Sequence, residues 1–203
     1  MHAQLRPRIA SASYPGDGTQ LEGLERCLET RLEAGRRSVV ASLLLERLTL
    51  GEALGALLRD GASVRPGTPA QIVRFALGEV GRRPRERGLV YVAPGGALDD
   101  PVREALESLR GVRSRTDVVV LGGERPPEDA PSVVWVPPDS TPDVAPCLVH
   151  YADGAAYAMV RAPGSPNEPS RLFHSADREL VEYLALRLQQ ELALPQTLEE
   201  AAA

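Results

Sequence analysis

Lysine is absent from this 203-residue sequence, and all 23 basic residues are arginine. The arginines are mostly dispersed, and the net charge is -5. This charge opposes general binding to nucleic acid, because counterion release rewards a basic face.

Aromatic side chains are also scarce, at 4%. The core must therefore be built mainly from Leu, Val and Ala. Together with 18 Gly and 18 Pro, the arginine usage indicates the coding bias of a GC-rich genome.

Cysteine and long apolar runs are equally rare. Cys27 and Cys147 lie far apart, which argues against a disulfide framework or a metal site with paired cysteines. No segment approaches the roughly 20 apolar residues needed to span a bilayer. Residues 1–10 carry two arginines and lack the apolar core of a signal peptide. We therefore expect a cytoplasmic protein with no membrane partner, no metal and no cofactor.

Residues 1–48 predict an irregular lead-in followed by a helical segment. Four leucines spaced by three and four give one apolar stripe on a helix that Gly35 ends: Leu21, Leu24, Leu28 and Leu32. A second helix is predicted through Val39 to Leu48. The stripe has two candidate partners, the protein's own sheet or the same helix of a second copy, so residues 1–48 are a candidate dimerisation segment.

Helix-start signatures mark two further helices. Thr49 precedes Glu52 by three residues, as in a capping box, and this helix should end near Gly61. Thr68 and Pro69 open the next helix, and Gly81 should end it. Its expected inward side chains are Ile72, Phe75, Ala76 and Val80.

Five short runs rich in β-branched or aromatic residues predict strands: 89–92, 118–121, 133–136, 147–151 and 156–161. A helix beginning at Asp100 separates the first two runs, and Asp153-Gly154 predicts a hairpin between the last two. Ser175 is the expected N-cap of a terminal helix. The sequence thus predicts an α/β (α+β) fold, a mixed sheet of about five strands flanked by helices. The expected organisation is a helical segment at 1–48, one domain at 49–194 and a disordered tail at 195–203.

No sequence motif for a nucleophile elbow, a P-loop or a dinucleotide-binding turn is present. We therefore predict a non-catalytic protein. One alternative is a small hydrolase-like enzyme in which His150, His174, Asp153 and Asp177 converge. A second alternative is a nucleic-acid adaptor that uses the basic cluster at 82–87.

The few aromatic residues are the candidate ligand contacts. Several of them lie on predicted neighbouring strands, where they would either line one cleft or supply the bulky part of the core. The candidates are Tyr91, Trp135, Tyr151, Tyr157 and Phe173.

Three stretches between about Leu48 and Leu194 resemble the DICT sensory domain, a module found with diguanylate cyclases and two-component proteins. They are the helix 72–80 leading into 88–92, the Trp-bearing run 133–137 followed by 147–151, and the segment 171–181 with its Asp-Arg-Glu-Leu-Val sequence. The sequence departs from the family at Val92-Ala93, where Phe-Gln is usual. The resemblance implies a bacterial sensory or regulatory role without catalytic residues. The expected partners are a small-molecule ligand and a signalling protein or second copy.

Overall fold

The computed structural model describes residues 20–36, 38–61, 64–95, 100–123, 125–126, 130–141, 144–164 and 170–192. The predicted lead-in and tail lie outside these ranges. Within them the α-helices are α1 Leu21–Arg36, α2 Val39–Ser42, α3 Leu50–Asp60, α4 Pro69–Arg82, α5 Asp100–Glu107 and α6 Arg178–Glu191, with short 3-10 turns at Leu45–Arg47 and Pro138–Ser140. The strands are β1 Val64–Gly67, β2 Gly88–Ala93, β3 Thr116–Leu121, β4 Val133–Val136, β5 Cys147–Ala152, β6 Ala156–Arg161 and β7 Ser170–Ser175.

The described strands form one mixed sheet in the order β1-β7-β6-β5-β2-β3-β4. Strands β2, β3 and β4 run parallel, with α5 as the crossover between β2 and β3. Strand β5 lies antiparallel to β2, and β6, β7 and β1 continue the antiparallel half. The predicted α/β fold, a mixed sheet flanked by helices and followed by a terminal helix, is confirmed.

Two of the seven strands were not predicted. Strand β1 contains Pro66 and Gly67. Both residue types are depleted in strands, so the sequence does not predict a strand there. Strand β7 includes Ser175, which was wrongly predicted as a helix N-cap. The N-cap of α6 is Asp177, whose side chain accepts a hydrogen bond from the Glu179 N–H at 3.0 Å.

The sheet buries both faces, as the near-continuous apolar runs indicate. On one face Tyr91 and Phe173 pack among the leucines of α3 and α6. On the other face Val90 and Leu148 pack against α4 and α5. Side chains alternate between these two cores along each strand, so β2 to β7 each contribute residues to both cores.

The N-terminal part of the prediction needs two corrections. Helix α1 runs past Gly35 to Arg36. The single helix expected from Val39 to Leu48 is broken, because Leu44 adopts a left-handed conformation with φ of 52°, which separates α2 from a 3-10 turn. Val40 and Leu45 are buried in the same core as α3 and α6, so residues 39–48 pack in one core with these helices, and the predicted boundary at 48 stays a prediction.

Helix α3 begins with the predicted capping box, in which Thr49 and Glu52 exchange hydrogen bonds. Gly61 ends it, and a Cβ there would lie 2.5 Å from the Phe173 ring. In α4, Phe75 was wrongly predicted as inward and is 64% exposed. The buried face is centred on Val73 and Leu77, and Phe75 lies about 200° around the helix from Val73.

Candidate ligand cleft

An open cleft with a volume of about 610 Å³ lies between α4, the loop that follows it and the β5–β6 hairpin. This volume falls in the range of roughly 300–1,000 Å³ that is typical of small-molecule sites. The lining is predominantly apolar, and the residues are Gln71, Ile72, Phe75, Ala76, Glu79, Arg83, Glu86, His150, Gly154, Ala155, Ala156 and Tyr157. A second hollow, beside Arg161, holds about 20 Å³, enough for about one water molecule.

His150 and Tyr157 lie side by side at the cleft, because the two residues are direct partners in the β5–β6 register. The His150 side chain is 6% exposed. Burial lowers the pKa of His150. The nearby carboxylates of Glu86 and Glu79 act in the opposite direction, but the effect of burial is larger. The imidazole is therefore neutral at neutral pH, with one nitrogen able to donate a hydrogen bond and the other able to accept one. Burial raises the pKa of Tyr157, so its hydroxyl also keeps its proton.

Helix α4 supplies the apolar wall of the cleft through Ile72, Phe75 and Ala76. Phe75 is the unusual member, because a phenylalanine at 64% exposure leaves most of its ring in water. A ligand in the cleft would remove part of that ring from solvent. At about 25 cal/mol per Å² of apolar surface, this burial favours binding.

Charged residues connect one end of the cleft to the hairpin. The Glu79 carboxylate pairs with Arg82 and with Arg83, at 3.3 Å for the latter. Glu86 accepts a hydrogen bond from the Gly154 N–H at 2.6 Å, and its other oxygen lies 3.8 Å from Arg83. The loop after α4 is thereby attached to the tip of the hairpin.

The five aromatic candidates do not share one cleft. Tyr157 lines it. Tyr91, Tyr151 and Phe173 belong to the core on the opposite face of the sheet. Trp135 lies on edge strand β4, where its indole N–H donates to the Gly122 carbonyl at 3.2 Å. The alternation of side chains along strands separates Tyr157 from Tyr91, Tyr151 and Phe173. Trp135 shares a face with Tyr157 but lies four strands away. The sequence alone did not give the register.

The two carboxylates predicted for the hydrolase alternative, Asp153 and Asp177, do not line the cleft with His150. His150 and His174 lie on one face, and the His174 ring centroid is 6.2 Å from that of Tyr157. Asp177, however, caps α6, which packs on the opposite face. Asp153 is exposed at the hairpin turn. The carboxylates that influence His150 are Glu86 and Glu79. Among the described residues no group of three or more His, Cys, Asp or Glu side chains could hold a metal ion.

The basic cluster at 82–87 is partly neutralised. Arg82 and Arg83 both pair with Glu79, whereas Arg85 and Arg87 are exposed. Binding of nucleic acid through this cluster stays a prediction. Among the helices formed by described residues, none has the length and apolarity needed to cross a membrane.

No family model and no curated protein matches the chain, so the DICT resemblance stays a prediction. Among solved structures the chain is similar to TrmBL2, an archaeal chromatin protein described as showing a novel mode of DNA binding. The identity is 12% and the TM-score 0.35, over 83% of this chain and 67% of that one. At this TM-score the likeness carries no argument about fold or function.

Proposed function

We propose that this chain is a non-catalytic regulatory module that binds a small ligand in the cleft between α4 and the β5–β6 hairpin. The observation that carries the proposal is the cleft itself: about 610 Å³, mostly apolar, with the nearly buried His150 and the exposed Phe75 among its lining residues. Such a site, with few polar groups in an apolar lining, is the usual form of a small-molecule site.

The hairpin supplies a route from the cleft to the last helix. Its tip is bound on the cleft side by Glu86, through the Gly154 N–H. On its other side the Arg178 guanidinium donates to the Ala152 and Asp153 carbonyls at 3.2 and 3.5 Å. Arg178 is the first residue of α6. A ligand that shifts the hairpin therefore acts directly on the start of this helix.

Helix α6 is in turn attached to the N-terminal segment. The Tyr183 hydroxyl donates to the Leu45 carbonyl at 2.7 Å, and Arg187 donates to the Leu48 carbonyl at 3.1 Å. We propose that ligand binding shifts α6 between two packings and that the N-terminal helices report the change to a signalling protein or to a second copy. The shift requires that the ligand bind one packing better than the other. The DICT resemblance agrees with this role.

The test is a ligand screen by ligand-observed NMR against the full chain, with two matched variants. Phe75→Ala removes an exposed ring from the cleft wall. Leu186→Ala removes an exposed apolar side chain from α6, outside the cleft. We expect ligands of the intact protein to bind Phe75→Ala about tenfold more weakly, a loss of about 1.4 kcal/mol, and Leu186→Ala unchanged.

Hydrogen exchange then tests the regulatory part of the proposal. Saturating ligand should change the exchange of the amides in α6 and in residues 39–48. Ligands that bind without changing exchange in either segment contradict signalling through α6. Ligands whose affinity is the same for Phe75→Ala and the intact chain contradict binding in this cleft.

A further inference from the structure

We infer that the ligand of this cleft is an organic cation, an aromatic or aliphatic body with an ammonium or amidinium head. This inference rests on the proposed function and names the chemical class that the site recognises.

The charges that line the cleft favour a positive ligand. Two carboxylates, Glu79 and Glu86, and one guanidinium, Arg83, line the cleft. A second guanidinium, Arg82, pairs with Glu79 from outside the lining, and His150 is neutral. The two glutamate side chains are 21% and 17% exposed, whereas those of Arg82 and Arg83 are 65% and 56% exposed. The negative groups therefore lie deeper than the positive ones. Their attraction for an incoming cation is less screened by solvent than the attraction of Arg83 for an anion.

The two carboxylate oxygens of Glu86 differ in their contacts. Glu86 Oε1 accepts the hydrogen bond from Gly154. Within the described part of the chain, the contact of Oε2 is with Arg83 at 3.8 Å, beyond hydrogen-bond distance. An ammonium group could donate to Oε2 while the bond to Gly154 stays intact. A charge-assisted hydrogen bond of this kind is about twice as strong as a neutral one.

The remaining lining suits the body of such a ligand. Ile72 and Ala76 offer aliphatic contact, and Phe75 and Tyr157 add two aromatic rings. Aromatic faces attract cations as well as apolar groups. An anionic head would instead depend on Arg83, which Glu79 already engages at 3.3 Å, and would lie beside two carboxylates.

Three probes with one body and different heads test the inference: 2-naphthylmethylammonium, 2-naphthylmethanol and 2-naphthoate. Their affinities for the full chain are measured by NMR titration. We expect the ammonium probe to bind at least tenfold more tightly than the other two. Glu86→Gln should remove this preference, weakening the ammonium probe about tenfold and the alcohol less than twofold. The Gln side-chain carbonyl can still accept the hydrogen bond from Gly154, so the variant keeps the hairpin attachment.

Glu182→Gln is the matched control, because Glu182 is an exposed glutamate on α6, away from the cleft. It should leave all three affinities unchanged. Equal or tighter binding of the naphthoate overturns the inference. So does a Glu86→Gln variant that weakens all three probes equally, since Glu86 would then act only on the shape of the cleft. If a screen finds cleft ligands, recognised by their loss in Phe75→Ala, and none is cationic, this inference fails and the proposed function stands. If nothing binds the cleft, both fail.

Discussion

Replacement of Tyr183 with Phe would remove the hydrogen bond that ties α6 to the N-terminal segment. The Tyr183 hydroxyl donates to the Leu45 carbonyl at 2.7 Å. Burial raises the pKa of this tyrosine, so the donor proton is present throughout the neutral range. The aromatic ring remains in the variant, which confines the change to one hydroxyl group.

The expected loss of stability depends on whether the Leu45 carbonyl keeps another hydrogen-bond donor. A neutral hydrogen bond contributes about 0.5–1.5 kcal/mol to stability, and a buried acceptor left without any partner costs about 1–3 kcal/mol. The Leu45 carbonyl also accepts from the Leu48 N–H at 3.0 Å. It therefore retains a partner in the variant. We expect the free energy of unfolding to fall by about 1 kcal/mol and Tm to fall by about 2–4 °C.

Urea and thermal denaturation measure the loss, and hydrogen exchange locates it. Amides in residues 39–48 should exchange faster in Tyr183→Phe than in the intact chain. Tyr151→Phe is the control, since within the described residues the Tyr151 hydroxyl has no hydrogen bond while its ring lies 4.8 Å from the Arg178 guanidinium. A change in unfolding free energy below about 0.3 kcal/mol for Tyr183→Phe, or equal changes for the two variants, would refute the reasoning from hydrogen-bond strength.

Three further results are expected. Thr49→Ala should lower the free energy of unfolding by about 1 kcal/mol, because it removes the side-chain acceptor of the Glu52 N–H; unchanged urea denaturation would contradict the capping role. Since the pKa of His150 is lowered on folding, the unfolded state binds more protons, and stability should fall as pH drops below about 6.5. His150→Leu should flatten this part of the stability–pH curve. If the variant and the intact chain have the same slope, His150 is not the cause of the pH dependence. Burial raises the pKa of the Cys147 thiol to about 12, so iodoacetamide at pH 8 should modify it only after unfolding, as peptide mass mapping would show.

Local signals in the sequence sufficed for much of the fold. The capping box at Thr49 and the apolar runs of β2, β3 and β5 specify a helix start and buried strands without reference to distant residues. Strand β1 was not predicted because Pro66 and Gly67 are rare in strands. Its pairing with β7 is a long-range contact, which a local sequence pattern does not indicate. The break at Leu44 also carries no sequence signal, because leucine rarely adopts a positive φ.

The candidate cleft was less predictable than the fold. His150 and Tyr157 were singled out, but for different hypotheses, and only the β5–β6 register brings them together. Glu86 and Gly154 are 68 residues apart in the chain and still share a hydrogen bond. The exposure of Phe75 depends on which face of α4 turns inward, and the apolar pattern of that helix left more than one choice.

The order of the strands has a consequence for self-association. Among the described strands β1 and β4 lie at the two margins of the sheet. Each is four residues long. The first contains Pro66, which lacks an amide hydrogen, and the second is flanked by Pro131 and Pro137. Short margins that contain proline or lie next to it resist pairing with a strand from another molecule. This architecture disfavours growth of the sheet by addition of a strand from another molecule at either margin.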